Sequence, residues 1–164
     1  MNRFHRKNLL LDTNLLLLLL VGSFDPSKIR TQKITANQGF SETDFNQLLN
    51  FVCRFQKLVT TPHILTEVSN HADKIKGVDK GKFLYQFLSL IEKMDERFEP
   101  SRLLAKTDAF VRFGLTDAAI SQLANGNFVV LTEDFPLAGY LEKNGVKVIK
   151  FNVVRQMSQM GWIF

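Results

Sequence analysis

The chain opens with two apolar runs separated by three polar residues. Residues 9–11 and 15–21 flank Asp12, Thr13 and Asn14. Both runs are too short for a transmembrane helix, which needs about 20 apolar residues. Buried parallel strands read as continuous apolar runs, and Asp, Thr and Asn cap helices because their side chains accept free backbone N–H groups. The pattern predicts a buried strand ending at Asp12, followed by a buried helix.

Apolar positions farther along the chain recur at the spacing of helices and short strands. A capping box at Ser41 and Asp44 and the pair Thr61-Pro62 predict two helix starts. Further helices are predicted over 79–98, 101–113, 117–124, 136–143 and 153–160, and strands over 58–60, 128–131 and 146–149. Residues 22–40 mix Gly, Pro, Ser and Asn, which predicts a long surface loop.

This order of elements predicts one α/β domain spanning residues 1–164. Strands that alternate with helices predict a three-layer α/β/α sandwich around a mainly parallel sheet of about four strands. The chain has 45% hydrophobic and 23% charged residues, as soluble globular proteins do. Its single cysteine, Cys53, lies on an apolar helical face and predicts a buried thiol in a reducing, cytoplasmic setting. The net charge of +5 is compatible with a polyanionic partner.

Four acidic residues lie near the ends of predicted elements. Asp12 ends the first strand, Asp134 follows the strand over 128–131, Asp117 begins a helix, and Glu67 borders an apolar helical face. Each has an ordinary explanation as a helix cap, a charge at a helix N-terminus or a solvated side chain. The carboxyl ends of parallel strands share one edge, however, so we expect the acids to converge. Clustered carboxylates need a cation, and oxygen ligands suit Mg²⁺ or Mn²⁺.

Four segments carry a family resemblance. LLLDTNLLL (9–17), TPHILTEVSN (61–70), GLTDAAISQLA (114–124) and VVLTEDFPLA (129–138) resemble, in order and spacing, the four motifs of the PIN domain. The resemblance spans about residues 8–151. It implies a metal-dependent nuclease with an α/β/α fold, similar to the VapC-type toxins of bacterial toxin–antitoxin pairs. The chain is longer than a compact PIN toxin, mainly through the 22–40 loop and the 79–98 helix.

The resemblance assigns roles to individual residues. The metal-binding and catalytic acids would be Asp12, Glu67, Asp117 and Asp134. Asn14 and Thr132 would support them, and Glu133 falls at a variable position. A metal-activated water would then attack a phosphodiester bond, most simply in RNA. Basic residues are expected to contact the RNA phosphates; they are Lys28, Arg30, Lys33, Arg102 and Lys106.

Two other functions compete with a Mg²⁺- or Mn²⁺-dependent ribonuclease. One is a PIN-fold scaffold that binds RNA or protein without cleaving it. The other is a haloacid-dehalogenase-like phosphatase with Asp12 as nucleophile, but that family needs a second Asp where this chain has Asn14. The amphipathic helices could serve a homodimer or an antitoxin peptide, and the sequence does not separate the two. No membrane partner is expected.

Overall fold

Five parallel strands form a single sheet in the computed structural model, which describes residues 7–123 and 128–161. The strands are β1 (Asn8–Leu11), β2 (Lys57–Thr60), β3 (Asp95–Glu96), β4 (Phe128–Thr132) and β5 (Val148–Lys150), in the order β3-β2-β1-β4-β5. From β1 the chain builds outward to β2 and β3, and it then returns to add β4 and β5 on the other side. The reversal creates a switch point between β1 and β4, where open α/β sheets bind ligands beyond the carboxyl ends of their strands.

Helices flank this sheet and complete the predicted three-layer α/β/α architecture. They are α1 (Thr13–Phe24), α2 (Lys33–Ala36), α3 (Glu42–Val52), α4 (Pro62–Ala72), α5 (Lys80–Ile91), α6 (Ser101–Leu104), α7 (Asp108–Phe113), α8 (Leu115–Leu123), α9 (Phe135–Lys143) and α10 (Phe151–Gln159). The α/β fold class with a parallel sheet is therefore confirmed. None of the helices in the described ranges is long and apolar enough to cross a membrane.

The leucine-rich helix α1 lies at the centre of the core. Residues 15–21 are each at most 3% exposed, and α1 packs against α3, α4 and α5. A helix that is apolar all round must be buried, and each buried leucine contributes about 1.5–3 kcal/mol. Gly22 lets α1 approach α3 closely, because a Cβ atom at Gly22 would lie 2.2 Å from the Phe45 ring. The core thus holds α1 rigidly, with its N-terminus directly after β1.

The predicted helix over 79–98 is correct as far as Ile91 and wrong after it. Helix α5 ends at Ile91, and Asp95–Glu96 instead forms the edge strand β3, which pairs with Val59 and Thr60 of β2. The sheet therefore has five strands rather than about four. Met94 and Phe98 continue the helical spacing of apolar residues in the sequence. In the structure they do not share a buried face, because Met94 is buried and Phe98 is 70% exposed. Pairing with the open edge of β2 overrides the local pattern.

The 22–40 segment is more ordered than the predicted surface loop. Helix α1 continues to Phe24, a 3₁₀ turn follows at Pro26–Lys28, and α2 covers Lys33–Ala36. The side chain of Gln32 is buried and makes two hydrogen bonds with the backbone of Lys76, accepting from its N–H at 3.0 Å and donating to its carbonyl at 2.8 Å. These contacts fix the segment against the turn after α4. The prediction of a loop from its Gly, Pro and Ser content was therefore wrong.

Three smaller predictions also change. The helix predicted over 101–113 is two helices, because the Thr107 hydroxyl accepts from the Phe110 N–H and starts α7 anew. Helix α8 begins at Leu115, before Asp117, and its predicted end at Ala124 lies outside the described residues. Cys53 is exposed rather than buried, because α3 ends at Val52 and the thiol follows it.

Candidate active site

Asp12 joins the carboxyl ends of β1 and β4. Its Oδ1 atom accepts from the Leu15 N–H at 2.8 Å, which caps α1. Its Oδ2 atom accepts from the Thr132 hydroxyl at 2.6 Å and from the Glu133 N–H at 3.0 Å. Burial raises the pKa of Asp12, and the hydrogen bonds from Thr132, Leu15 and Glu133 oppose that rise. Three donors, one each from α1, β4 and the connection after β4, therefore fix this carboxyl group at the switch point.

Asp134 lies on the same connection between β4 and α9. Its backbone N–H donates to the Thr132 hydroxyl at 3.0 Å, so that one buried hydroxyl links Asp134 to Asp12. The Oδ1 atom of Asp134 caps α9 by accepting from the Leu137 N–H at 2.8 Å. Its Oδ2 atom accepts no hydrogen bond from any described residue. Asp134 is exposed and can present that oxygen to a ligand.

Glu67 projects from α4 between the first turns of two other helices. Its Oε2 atom accepts from the Thr13 hydroxyl and its Oε1 atom from the Thr116 hydroxyl, both at 2.7 Å. Each threonine directly adjoins an acid, Thr13 after Asp12 and Thr116 before Asp117. Glu67 thereby ties the starts of α1 and α8 together. Neither threonine was predicted as a partner of Glu67, although its position beside an acid was a usable signal.

The negative charges of the other three acids act on Asp117. It lies half-buried in the first turn of α8, and its carboxyl oxygens accept no hydrogen bond within the described ranges. Burial first, and then the negative charges of Asp134, Asp12 and Glu67, raise the pKa of Asp117 to about 7. Asp117 in α8 is therefore electrostatically coupled to the acid after β1, to the acid in α4 and to the acid in the β4–α9 connection.

The donor chemistry of this site suits a hard divalent cation, which prefers carboxylate oxygens. Both oxygens of Asp117 and Oδ2 of Asp134 are free of internal hydrogen bonds, and a carboxylate oxygen that already accepts one bond keeps a second lone pair. The four acidic side chains are, however, farther apart than the ligands of one bound ion would be. Within residues 7–123 and 128–161, no three His, Cys, Asp or Glu side chains lie close enough together to hold one ion.

The remaining predicted site residues lie at different distances from the acids. Asn14 is half-buried in the first turn of α1, and its side chain bonds to no described residue. Thr132 makes the contacts with Asp12 and Asp134 given above. Glu133 contributes its backbone N–H to Asp12, whereas its side chain pairs with Arg155. Burial raises the pKa of Glu133, and Arg155 opposes the rise.

The five predicted basic residues do not form one surface. Arg102 and Lys106 are exposed in and just after α6, which packs against α8, the helix of Asp117. Lys28 follows the far end of α1, and 12 helical residues span about 18 Å. Its Nζ atom lies near Gly77, beyond the C-terminal end of α4. The structure therefore places α6 beside the helix that carries Asp117 and takes Lys28 away from the acids.

Arg30 and Lys33 lie on the segment that runs from the end of α1 back towards α3. Both side chains are exposed. Arg30 lines a hollow of about 320 Å³ together with Phe40 and Ser41, at the start of α3. Lys33 opens the short helix α2. Neither side chain contacts one of the four acids.

Comparison with known proteins shows the fold alone. No family model matches the chain, and no curated protein matches it. Among solved structures it is similar to the crystal structure of PAE2754 from Pyrobaculum aerophilum, with a TM-score of 0.52 and 14% sequence identity. That match covers 93% of this chain and 96% of the other. At so low an identity, the likeness supports the architecture and assigns no activity.

Proposed function

We propose that this protein is a Mg²⁺- or Mn²⁺-dependent endoribonuclease of the PIN type. The observation that carries the proposal is the hydrogen-bonded arrangement of four acids at the switch point of a parallel sheet. Thr132 links Asp12 to Asp134, and Glu67 bonds the residues next to Asp12 and Asp117. The motif resemblance assigns the metal to these same four acids, and their oxygen chemistry agrees.

In this proposal, Asp12 and Asp117 hold the ion directly, and Glu67 and Asp134 complete its surroundings. A bound divalent ion would supply charge stabilisation for the phosphate and a water of lowered pKa. The protein's own contribution is preorganisation. Asp12 cannot rotate without losing three hydrogen bonds. Glu67 holds the starts of α1 and α8 at a fixed separation, so that their positive dipole ends favour a phosphate at the acidic edge.

Several finer parts of the proposal rest on the resemblance alone. They are RNA as the substrate, an antitoxin or a second copy of the chain as the protein partner, and a cytoplasmic location. Arg102 and Lys106 support a polyanionic substrate, because they are exposed near α8 and form no ion pair with a described residue. Contacts of this kind would make RNA binding weaken as salt concentration rises.

The decisive experiment is cleavage of a mixed RNA pool by wild type and Asp117→Asn, with Mn²⁺, with Mg²⁺ and with chelator. Asp108→Asn is the matched control, because Asp108 is an exposed aspartate in the first turn of α7. We expect metal-dependent cleavage by wild type and the control, and a loss of at least about 100-fold in Asp117→Asn. Equal cleavage by all three proteins would refute the proposal.

A second candidate is a scaffold of the same fold that binds RNA without cleaving it. The observation in its favour is that no three potential ligands in the described ranges share one point. It predicts RNA binding that chelator does not change and no cleavage under any metal. The phosphatase alternative is weaker, because Asp12 is only 6% exposed and both of its oxygens already accept hydrogen bonds.

A further inference from the structure

The C-terminal helix α10 carries an arginine that reaches the connection between β4 and α9. Arg155 donates from Nε to Oδ1 of Asp44 at 2.6 Å and from Nη1 to Oε1 of Glu133. Its guanidinium carbon lies 4.7 Å from the ring centre of Phe151 and 5.8 Å from that of Phe40. Two carboxylates and two aromatic rings thus surround one planar cation, a geometry that arginine satisfies and lysine does not.

Asp44 gives this arginine a rigid support on α3. Its Oδ2 atom accepts from both the N–H and the hydroxyl of Ser41, at 2.8 and 2.7 Å, in the capping box that begins the helix. Its Oδ1 atom is left for Arg155. Burial would raise the pKa of Asp44, but the hydrogen bonds from Arg155 and Ser41 outweigh it and lower the pKa below its usual value. Asp44 is therefore a charged partner fixed in place by its own helix.

On its other side, Arg155 holds the residue whose backbone bonds to Asp12. Glu133 donates its N–H to Oδ2 of Asp12 at 3.0 Å. Its neighbours Thr132 and Asp134 supply the hydroxyl and the second carboxylate of the site. The ion pair with Arg155 ties the Glu133 side chain to α10 and, through Asp44, to α3.

We propose that Arg155 is a positioning residue, which orients the 132–134 connection around Asp12 by holding Glu133 against α3. Its contacts are with Asp44, Glu133 and two aromatic rings and not with the four acids, so it acts through Glu133. The consequence for catalysis rests on the proposed nuclease function, whereas the positioning itself does not. A purely structural role would attach α10 to the fold and leave the Glu133 N–H bond unchanged when the ion pair is removed.

The test compares amide hydrogen exchange in wild type, Arg155→Gln and Arg155→Lys, with Arg97→Gln as control. Arg97 forms an exposed ion pair with Asp95, away from this connection. The reference amide is that of Leu15, which donates to the other oxygen of Asp12 from a helix that Arg155 does not touch. In Arg155→Gln we expect the Glu133 amide to exchange about tenfold faster while the Leu15 amide is unchanged. Arg155→Lys should restore part of the protection, because it keeps the charge without the planar fork.

RNA cleavage supplies the second readout. Arg155→Gln should lower kcat by about 10–100-fold, as loss of supporting residues around a metal site does, with KM changed less than about twofold because no phosphate contact is lost. Arg155→Lys should recover part of kcat, and Arg97→Gln should match wild type.

The two readouts separate failure of the inference from failure of the proposed function. No cleavage by wild type would refute the nuclease and leave the exchange measurement to decide the positioning role. Equal acceleration of the Glu133 and Leu15 amides in Arg155→Gln, or no acceleration of either, would overturn the inference. So would an unchanged kcat in that variant when wild type is active.

Discussion

Replacing Asp117 by asparagine should make the metal-free protein more stable, even though it removes a proposed ligand. Burial and the charges of Asp134, Asp12 and Glu67 oppose ionisation of Asp117 in the folded state. In the unfolded chain, the same carboxyl group is solvated and ionises freely. Asparagine is nearly the same size and carries no charge, so the variant escapes this repulsion. Sites built for function commonly carry such a cost in stability.

The magnitude follows from the pKa. It rises from 3.8 to about 7, and at about 1.4 kcal/mol per unit this gives an upper limit of about 4 kcal/mol. Because Asp117 is only half-buried, solvent screening reduces the expected gain to about 1–2 kcal/mol. Asp117→Asn also loses the favourable interaction of the carboxylate with the helix dipole, which is worth about 0.3–1 kcal/mol. The control variant Asp108→Asn loses the same kind of interaction.

The sign of the pH dependence is fixed by the raised pKa. Below pH 3.8 the carboxyl group is protonated in both states and carries no penalty. Between pH 3.8 and about 7 the unfolded state loses its proton first, so the contribution of Asp117 to the stability of wild type falls as pH rises. Above about 7 the penalty is complete. The advantage of Asp117→Asn should therefore grow from pH 4 to pH 7 and then stay constant.

Urea unfolding with chelator present, at pH 5, 6, 7 and 8, measures this directly. Asp117→Asn should have the higher unfolding free energy at pH 8, and Asp108→Asn should be equal to wild type or slightly less stable. A variant that is less stable than wild type at pH 8, or an advantage that does not vary with pH, would refute the raised pKa of Asp117 on which this reasoning rests.

Three further predictions concern metal binding, the hydroxyl link and the core. Adding Mn²⁺ should raise the Tm of wild type in thermal unfolding, because an ion that binds only the folded state stabilises it; an equal rise in Asp117→Asn would contradict the proposed ligand. Thr132→Val should cost about 1–3 kcal/mol in urea unfolding, because it removes a donor to buried Asp12 and the acceptor of the Asp134 N–H, whereas Thr132→Ser keeps the hydroxyl and should lose only about 0.8 kcal/mol, the contribution of one buried methyl group. Gly22→Ala should cost about 1–3 kcal/mol by the same measurement, because the added Cβ meets the Phe45 ring; unchanged stability would show that the ring can move aside.

The sequence by itself determined the elements whose signals are local. The apolar run before Asp12, the capping box at Ser41 and the proline after Thr61 each act within three or four residues, and β1, α3 and α4 begin or end there. The sequence also placed Asp12 and Asp134 at one edge of the sheet, because a parallel sheet gathers the carboxyl ends of its strands there; that β1 and β4 are neighbours was decided by the tertiary structure. The fold class followed from the same alternation of strands and helices.

The tertiary structure alone decided the features that depend on distant partners. Residues 95–96 form a strand because β2 offers unpaired backbone groups at its edge. Glu67 finds its two threonines 54 and 49 residues away, and Arg155 finds Asp44 at a separation of 111. No local periodicity encodes such pairings, because each becomes favourable only when folding has already brought both partners out of water and into contact.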